Sequence, residues 1–212
     1  VGPNSHTLPG YYGLAEGSWK HWCRVWDVDY EWLKARFDQG EYPDGKGKTV
    51  KPMNMPGITV SRWADGTLED PANITQRAPI KMVIYNGMAP NSKKAMEKLE
   101  ALVIIDPHPT VSAVMNDRKD GVYLLPATTC FETYGSVTAS NRSIQWRDKV
   151  IDPLFEAKTD QSIIYLLAKK LGFEKEMFKH IKVENDEPLI EDVLREINRG
   201  TWTIGYSGQS PE

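Results

Sequence analysis

Between Pro79 and Pro126, short apolar runs alternate with helical segments, and this pattern constrains the fold more than any other feature. The runs KMVIY, ALVIID and GVYLLP are separated by turn-rich loops and short helical stretches. The middle run is continuously apolar, which is typical of a strand buried on both faces. Strand–helix–strand alternation with short connections predicts parallel pairing. We therefore expect an α/β fold with a doubly wound, Rossmann-like sheet, whose adjacent parallel strands are Lys81–Tyr85, Ala101–Asp106 and Val122–Leu125.

The segments on either side of this pattern predict an irregular arm and a helical cover. Five of the seven tryptophans precede residue 79, so residues 1–78 are expected to form a Trp-rich arm. Its short helices, WKHWCRVW and YEWLKARF, are expected to begin at caps supplied by Ser18 and Asp29. The rings could pack within the arm, but we favour their covering a neighbouring domain. Residues 79–212 are expected to form the α/β domain, with amphipathic helices in DQSIIYLLAKKLGF, EKEMFKHI and LIEDVLREINRG covering the sheet.

Composition and cysteine count narrow the range of functions. The net charge is −3 and the sequence shows no basic stripe, so nucleic acid is not an expected partner. No apolar run reaches the ~18 residues of a membrane span. A cysteine-ligated iron–sulfur cluster takes four thiolates, whereas only Cys23 and Cys130 are present, and both are expected to be free and buried. The four histidines show no metal-type spacing. The chain begins at Val1 and is expected to be an excerpt of a longer polypeptide.

The loops after the predicted strands carry the residues that could bind a ligand. Open parallel sheets bind ligands outside the carboxyl ends of their strands, and here those loops are residues 86–92, 106–110 and 126–146. Neither a Gly-x-Gly-x-x-Gly motif nor a Walker loop is present, so an ordinary nicotinamide or P-loop site is not expected. The last loop follows Pro126, which is expected to end its strand, and is long and polar. The candidate cofactor-binding residues in the three loops are Gly87, Asn91, Ser92, Asp106, Thr110, Glu132, Asn141 and Arg142.

Most of these candidates also have a purely structural interpretation. Asn91 and Ser92 precede a helix and could cap it, or they could contact a phosphate or ribose. Asp106 could be a turn carboxylate bonded to backbone N–H groups, or it could accept the paired N–H donors on one edge of guanine. Thr110 could cap the next helix or bind the same nucleotide. Among the loop residues 132–145, Glu132 and Arg142 could form a buried ion pair, while Asn141 could satisfy backbone groups.

Three stretches resemble a known family: LPGYYGLAEGSWKHWCRVWDVDYEW, the block from Asp106 through FETYGSVTASNRSIQWRDKVIDPLFE, and TWTIGYSGQSP. They are similar to the molybdopterin oxidoreductases of the DMSO reductase family, and in particular to the catalytic alpha subunit of molybdenum- or tungsten-dependent formate dehydrogenases. The resemblance implies that this domain holds the guanosine end of one of two molybdopterin guanine dinucleotides, with Asp106 reading guanine and Thr110 supporting the nucleotide. In this family, Glu132 and Arg142 could instead line the route to the metal.

The resemblance also implies what lies elsewhere in the whole enzyme. The full subunit would oxidise formate to carbon dioxide with a bis-molybdopterin guanine dinucleotide centre holding Mo or W and an iron–sulfur cluster. This chain alone is expected to lack catalytic and metal-ligating residues and to be inactive. Expected partners are the remaining domains of the same subunit, an iron–sulfur electron-transfer subunit and a membrane cytochrome subunit, in a periplasmic or alternatively cytoplasmic complex. Resembling enzymes carry extra residues between the equivalents of Ser92 and Lys93, so a missing segment is expected there.

Two alternatives remain open from the sequence. The chain could come from another molybdopterin oxidoreductase, such as a nitrate or sulfur-compound reductase. It could also be a non-catalytic nucleotide-binding or assembly module that recognises the cofactor.

Overall fold

A three-stranded parallel sheet lies at the centre of the fold. The computed structural model describes residues 16–37, 40–43, 48–51, 58, 62–74, 76, 78–88, 92–138 and 144–199 of the 212-residue chain. The strands are β3 (Met82–Asn86), β4 (Ala101–Asp106) and β5 (Val122–Pro126), in the order β3-β4-β5. Both pairs are parallel. The predicted α/β fold and its three adjacent parallel strands are therefore confirmed to within one residue at each end.

One face of the sheet is covered by three short helices, α3 (Trp63–Leu68), α4 (Lys93–Lys98) and α5 (Val111–Val114). Alternate residues of β4 point into this layer, where Leu102 and Ile104 pack against Met96 and Leu99. The ring of Trp63 meets Tyr85 edge to face, with centroids 5.7 Å apart. Complete burial of a side chain such as Met96 or Leu102 contributes about 1.5–3 kcal/mol each, so this layer is a main source of stability.

Arg118 fastens the end of α4 to the segment that leads into β5. Its guanidinium donates to the carbonyl of Met96 at 3.1 Å, to that of Leu99, to that of Glu100 at 3.0 Å and to that of Asp120 at 3.2 Å. Arg118 thus adds a second donor to the Met96 carbonyl in the last turn of α4 and a donor to the carbonyl of Leu99, the residue that ends the helix.

Part of the opposite face of the sheet is covered by α6 (Asp160–Leu171), as predicted. Its N-cap is Thr159, whose hydroxyl accepts a hydrogen bond from the Ser162 N–H at 3.2 Å. Gly172 ends the helix in the left-handed conformation, with φ of 77°, where glycine has no Cβ penalty. Ile163 of this helix packs against Ile105 and Ala127 in a second, smaller core.

The predicted polar loop after β5 contains an antiparallel hairpin that the sequence analysis missed. Its strands are β6 (Gly135–Thr138) and β7 (Ile144–Arg147). Each strand contains at least one β-branched residue, as strands often do. However, each is only four residues long, which is too short to show a clear alternation of apolar and polar residues. Beyond α6 come α7 (Glu174–Met177), a hairpin of β8 (Val183–Glu184) and β9 (Glu187–Pro188), and α8 (Ile190–Asn198).

The amino-terminal helices are joined to the carboxyl-terminal ones. They are α1 (Glu16–Trp26) and α2 (Tyr30–Phe37), followed by a small hairpin of β1 (Tyr42–Pro43) and β2 (Thr49–Val50). Asp29 caps α2 as predicted, since its Oδ1 accepts the Trp32 N–H at 2.7 Å. The prediction for Ser18 is wrong, because α1 already begins at Glu16.

Three polar contacts connect the end of α1, and Asp27 just after it, to the carboxyl-terminal part of the described chain. The Arg199 Nε donates to the Val25 carbonyl at 3.0 Å, and the Asp27 Oδ2 lies 2.9 Å from Lys179 Nζ and 2.7 Å from His180 Nε2. The division at residue 78, and the covering of a further domain by the tryptophans, remain predictions. Cys23 and Cys130 are both free, but Cys130 is exposed rather than buried.

Candidate functional site

Parallel pairing brings the three loops of interest to one edge of the sheet. The strands β3, β4 and β5 all end there, and the described candidates in the segments that follow them are Gly87, Ser92, Asp106, Thr110 and Glu132. Asn91, Asn141 and Arg142 lie outside the described residues, so their roles stay predictions.

The turn after β3 leaves open space above its backbone. Gly87 has φ of 60°, and its N–H donates to the Ile105 carbonyl at 3.0 Å, extending the ladder by one residue. Apart from its two chain neighbours, no heavy atom of the described residues lies within 4 Å of the position that a Cβ would occupy there. Ser92 stands at the N-cap position of α4, but its side chain makes no capping hydrogen bond. The Ser92 carbonyl accepts the Met96 N–H at 3.0 Å, which begins α4, and the segment expected between Ser92 and Lys93 stays a prediction.

Asp106 makes the turn bond that the sequence offered as one of its two possible roles, and its binding of guanine stays a prediction. Its Oδ1 accepts the His108 N–H at 3.1 Å, which is the bond of an aspartate turn. Within the described part of the chain, this is the one hydrogen bond of the carboxylate. A carboxylate offers about four lone-pair sites, so the turn leaves most of its accepting capacity unused. The half-buried side chain is therefore able to accept donors from a ligand at the edge of the sheet.

Thr110 supplies a second unused group four residues further on. Its Oγ1 is buried and has no hydrogen-bond partner among the described residues. Thr110 stands at the N-cap position of α5, yet its side chain makes no capping bond. A buried hydroxyl without a partner costs about 1–3 kcal/mol, a cost that a ligand with a polar atom there would remove. The loop after β4 thus carries two polar groups, in Asp106 and Thr110, whose hydrogen-bonding capacity is not used up by the described residues.

Glu132 fastens the loop after β5. Only 5% of the residue is exposed. Its Oε2 accepts the Thr129 N–H at 2.7 Å and the Thr129 hydroxyl at 2.8 Å, and its Oε1 accepts the Leu154 N–H at 2.7 Å. These bonds, and more weakly the charge of His108, lower the pKa of Glu132. The observed partners of this carboxylate are thus neutral donors of the loop itself, and its pairing with Arg142 remains a prediction.

Three contributors to this edge were not identified from the sequence. Thr129 lies three residues before Glu132, a spacing that suits a side chain closing its own turn, so that signal was available. His108 holds Asp106 through its backbone, and any residue type except proline can do the same. Leu154 also acts through its backbone and lies 22 residues from Glu132, so no local pattern marks it.

The described residues contain no cluster of three or more His, Cys, Asp and Glu side chains placed to bind a metal ion. None of the helices in the described ranges has the length and apolar character that crossing a bilayer requires.

Comparison with known proteins gives one family model that matches this chain, together with several similar relatives. The family model described as "Molybdopterin oxidoreductase" matches residues 59–170, more than half of the 212 residues. The F420-dependent formate dehydrogenase subunit alpha of Methanocaldococcus jannaschii is 28% identical over 95% of this chain and 24% of its own length. The trimethylamine-N-oxide reductase of Vibrio cholerae is 28% identical over 79% of this chain and 22% of its own length.

A third relative matches a shorter stretch more closely. The dimethyl sulfoxide/trimethylamine N-oxide reductase of Cereibacter sphaeroides is 40% identical over 37% of this chain and 9% of its own length. The chain thus spans less than a quarter of the curated relatives named here. Molybdopterin is the cofactor expected for proteins that match this model. The chain belongs to the molybdopterin oxidoreductase family.

Proposed function

We propose that this chain is the part of a formate dehydrogenase alpha subunit that holds the guanosine end of a molybdopterin guanine dinucleotide. One observation supports this most directly. The loop after the central strand combines a carboxylate with unused accepting capacity at Asp106 and a buried hydroxyl without a described partner at Thr110. Both lie where open parallel sheets bind their ligands.

The residues of this chain would bind and orient the nucleotide. Two N–H donors on one edge of guanine match the acceptor oxygens of Asp106, and a charge-assisted bond contributes about 1.5–3 kcal/mol, against about 1 for a neutral one. Thr110 would satisfy its hydroxyl on the same nucleotide, and Glu132 would keep the adjoining loop in place. When bound, the bis-molybdopterin guanine dinucleotide centre with Mo or W supplies the two-electron redox chemistry of the whole subunit.

Formate oxidation is favoured over other reactions by the extent of the match. The formate dehydrogenase relative aligns over 95% of the chain and the trimethylamine-N-oxide reductase over 79%, at the same 28% identity. The amino-terminal stretch LPGYYGLAEGSWKHWCRVWDVDYEW, which resembles formate dehydrogenases, also supports formate oxidation. Trimethylamine-N-oxide reduction is the second candidate, because several relatives with that name match this chain.

The wider assembly follows from the same proposal. The iron–sulfur cluster would lie elsewhere in the subunit, and electrons would leave through an iron–sulfur subunit and a membrane cytochrome subunit. A periplasmic, membrane-associated complex is the location proposed, with the cytoplasm as the alternative. An intact mass near 24.0 kDa for the native protein would favour the assembly-module alternative instead.

The substitution Asp106→Asn in the full-length enzyme tests the nucleotide assignment. Asparagine keeps the aspartate-type turn but loses the charge, so pterin and metal content after purification should fall about tenfold, as expected for a loss near 1.4 kcal/mol. The control is Asp70→Asn, because Asp70 Oδ1 accepts the Ala72 N–H at 2.9 Å in the same kind of turn. Cofactor content equal to the parent in both variants would make Asp106 a turn residue only. Turnover of formate against trimethylamine N-oxide by the parent decides between the two reactions.

A further inference from the structure

The described residues cover only part of the sheet face that carries α6. Between the sheet and α6 lies an open groove of about 540 Å³. Its floor is made by alternate residues of all three strands: Met82, Ile84, Val103, Ile105, Tyr123 and Leu125. Met82 is 54% exposed, Ile84 is 41% exposed and Tyr123 is 56% exposed. Such values are unusual for parallel sheets, which are normally covered on both faces.

The position of α6 explains which part of the face is open. Ile163 packs on Ile105 of β4 and on Ala127 just beyond β5, so this helix covers the carboxyl-terminal side of these two strands. The β3 side chains on this face, Met82 and Ile84, are left partly exposed. Neighbouring strands are spaced about 4.8 Å apart, whereas packed helices lie about 8–10 Å apart. The uncovered width beside α6 therefore suits one further helix.

We infer that this groove is filled by an amphipathic helix supplied by another part of the same polypeptide. This inference rests on the proposed function, because it requires a subunit as long as the relatives. The chain corresponds to 22% and 24% of two of those relatives, so proteins of this family have ample further chain to provide such a helix. A second copy or another subunit would have to cover the face from outside the subunit.

The chemistry of the groove specifies the helix. The floor is aliphatic and aromatic, so the helix needs an apolar stripe with a period of 3.6 residues. The rim carries Lys158 and Lys170 against a single carboxylate, Glu156, so acidic residues are expected on the flank that faces these lysines. Sites for small ligands usually add convergent polar groups that fix orientation, whereas the polar groups among these lining residues lie mainly at the rim.

The apolar surface continues past the rim on the segment before Glu156. Val150, Ile151, Leu154 and Phe155 are all exposed, and Phe155 adopts a positive φ of 53°. This segment is nevertheless held firmly, because the N–H groups of Val150 and Ile151 donate to the Phe131 carbonyl at 2.9 and 3.0 Å. An ordered segment that exposes four apolar side chains is typical of a contact surface, which extends the covered area beyond the groove.

Site-specific photo-crosslinking in the full-length protein tests this inference. Tyr123 is replaced by p-benzoylphenylalanine, which keeps an aromatic ring in the groove, and the control places the same residue at Lys94, exposed on α4 on the other face. We expect position 123 to crosslink to one segment of the same polypeptide outside residues 1–212, in several-fold higher yield than position 94. Crosslinks to a second copy, to another subunit or within residues 1–212, or a yield equal to the control, would overturn the inference.

Pterin content of the same preparations separates this inference from the proposed function. Bound molybdopterin without the intramolecular crosslink would reject the covering helix alone. The crosslink without molybdopterin would reject the nucleotide assignment alone.

Discussion

The carboxylate of Glu132 lies 2.7 Å from the backbone nitrogen of Leu154, 22 residues further along the chain. The same side chain accepts two hydrogen bonds from Thr129. One residue thus joins the start of the loop after β5 to the segment that follows the β6–β7 hairpin. The strands β6 and β7 lie between these two points. Glu132 is therefore a positioning residue for the carboxyl edge of the sheet, whatever else it contacts.

Glu132→Gln should loosen this connection. Glutamine offers a single acceptor oxygen, so the N–H of either Thr129 or Leu154 loses its partner. Amide hydrogen exchange at the affected residue should accelerate on the order of tenfold, measured by mass spectrometry or NMR. The parent should lose the same protection in acid. Its depressed pKa gives stability that is present above the ordinary value of 4.5 and lost as the pH falls through the folded pKa.

The control for this change is Glu156→Gln, a neighbouring exposed carboxylate on the same segment. It should leave exchange at Leu154 unaltered. Equal exchange in the Glu132 variant and the parent at neutral pH would mean that Glu132 does not hold the loop.

The sheet could be predicted from the sequence because each of its elements has a local signal. The run ALVII is apolar at every position, which is typical of a strand covered on both faces, and Leu102, Ile104 and Ile105 are indeed buried. Gly172 similarly marked the end of α6. The β6–β7 hairpin was missed because its four-residue strands offer too short a period to separate from a polar loop.

For the candidate site, the sequence predicted only those residue positions that follow from the order and direction of the strands. Asp106 ends the central strand in both sequence and structure, so its place at the ligand edge followed from parallel pairing. Its bond to His108 uses a backbone N–H, and the partners of Glu132 include a backbone group 22 residues away. Contacts of this kind depend on the path of the backbone and not on residue identity, so they could not be predicted from the residue types in the sequence.

Thr110→Val should separate stability from cofactor binding. Valine has nearly the same shape but no hydroxyl, and the Oγ1 that it removes is buried without a described partner. The cofactor-free protein should therefore become more stable by about 1 kcal/mol, seen as a higher urea midpoint. Pterin retention should fall at the same time. Thr110→Ser keeps the hydroxyl and should preserve retention; a loss of stability in the valine variant would show that the hydroxyl already has a partner.

Glu196 should make the protein less stable as the pH rises. Burial raises the pKa of this α8 carboxyl to about 7, although Arg199, 3.1 Å away, partly offsets the effect. The folded state therefore binds the proton more tightly than the unfolded state, whose value is 4.5. The contribution of Glu196 to the free energy of unfolding is fully present below pH 4.5 and is lost as the pH rises through about 7. Glu196→Gln should remove this decline and gain about 1–2 kcal/mol at pH 8 after allowance for solvent screening, with little change at pH 4.

Asp192, one turn earlier on α8, provides the opposite case. The Lys182 N–H and the Arg195 guanidinium lower the pKa of its carboxyl. Asp192→Asn should therefore destabilise the protein at pH 7 and have less effect in acid. In urea unfolding from about pH 2 to pH 8, the effect of Asp192→Asn should be complete above pH 3.8 and fade below it, whereas the effect of Glu196→Gln should be small below pH 4.5 and grow as the pH rises to about 7. A Glu196→Gln effect that does not grow over this range would contradict the assignment of Glu196.

Gly135 lies at the junction of the β6–β7 hairpin and α8, and its replacement by alanine should destabilise the protein. Its φ is 138°, and an added Cβ would lie 2.9 Å from Ile190 Cγ2. Alanine therefore costs both backbone strain and overpacking, about 2–4 kcal/mol together. The shift would also move β6 away from α8, where the Tyr134 hydroxyl donates to Glu191 Oε2 at 3.0 Å.

Gly172→Ala is the matched control, because Gly172 also has a positive φ, of 77°, but no heavy atom lies within 4 Å of its Cβ position. It should cost only the backbone term, about 1–2 kcal/mol. Thermal unfolding of the two variants measures the difference, and Tyr134→Phe in the Gly135→Ala background should add little because the bond to Glu191 is already lost. If the two glycine variants melt together, Ile190 yields without cost and the packing of α8 on β6 is looser than this contact indicates.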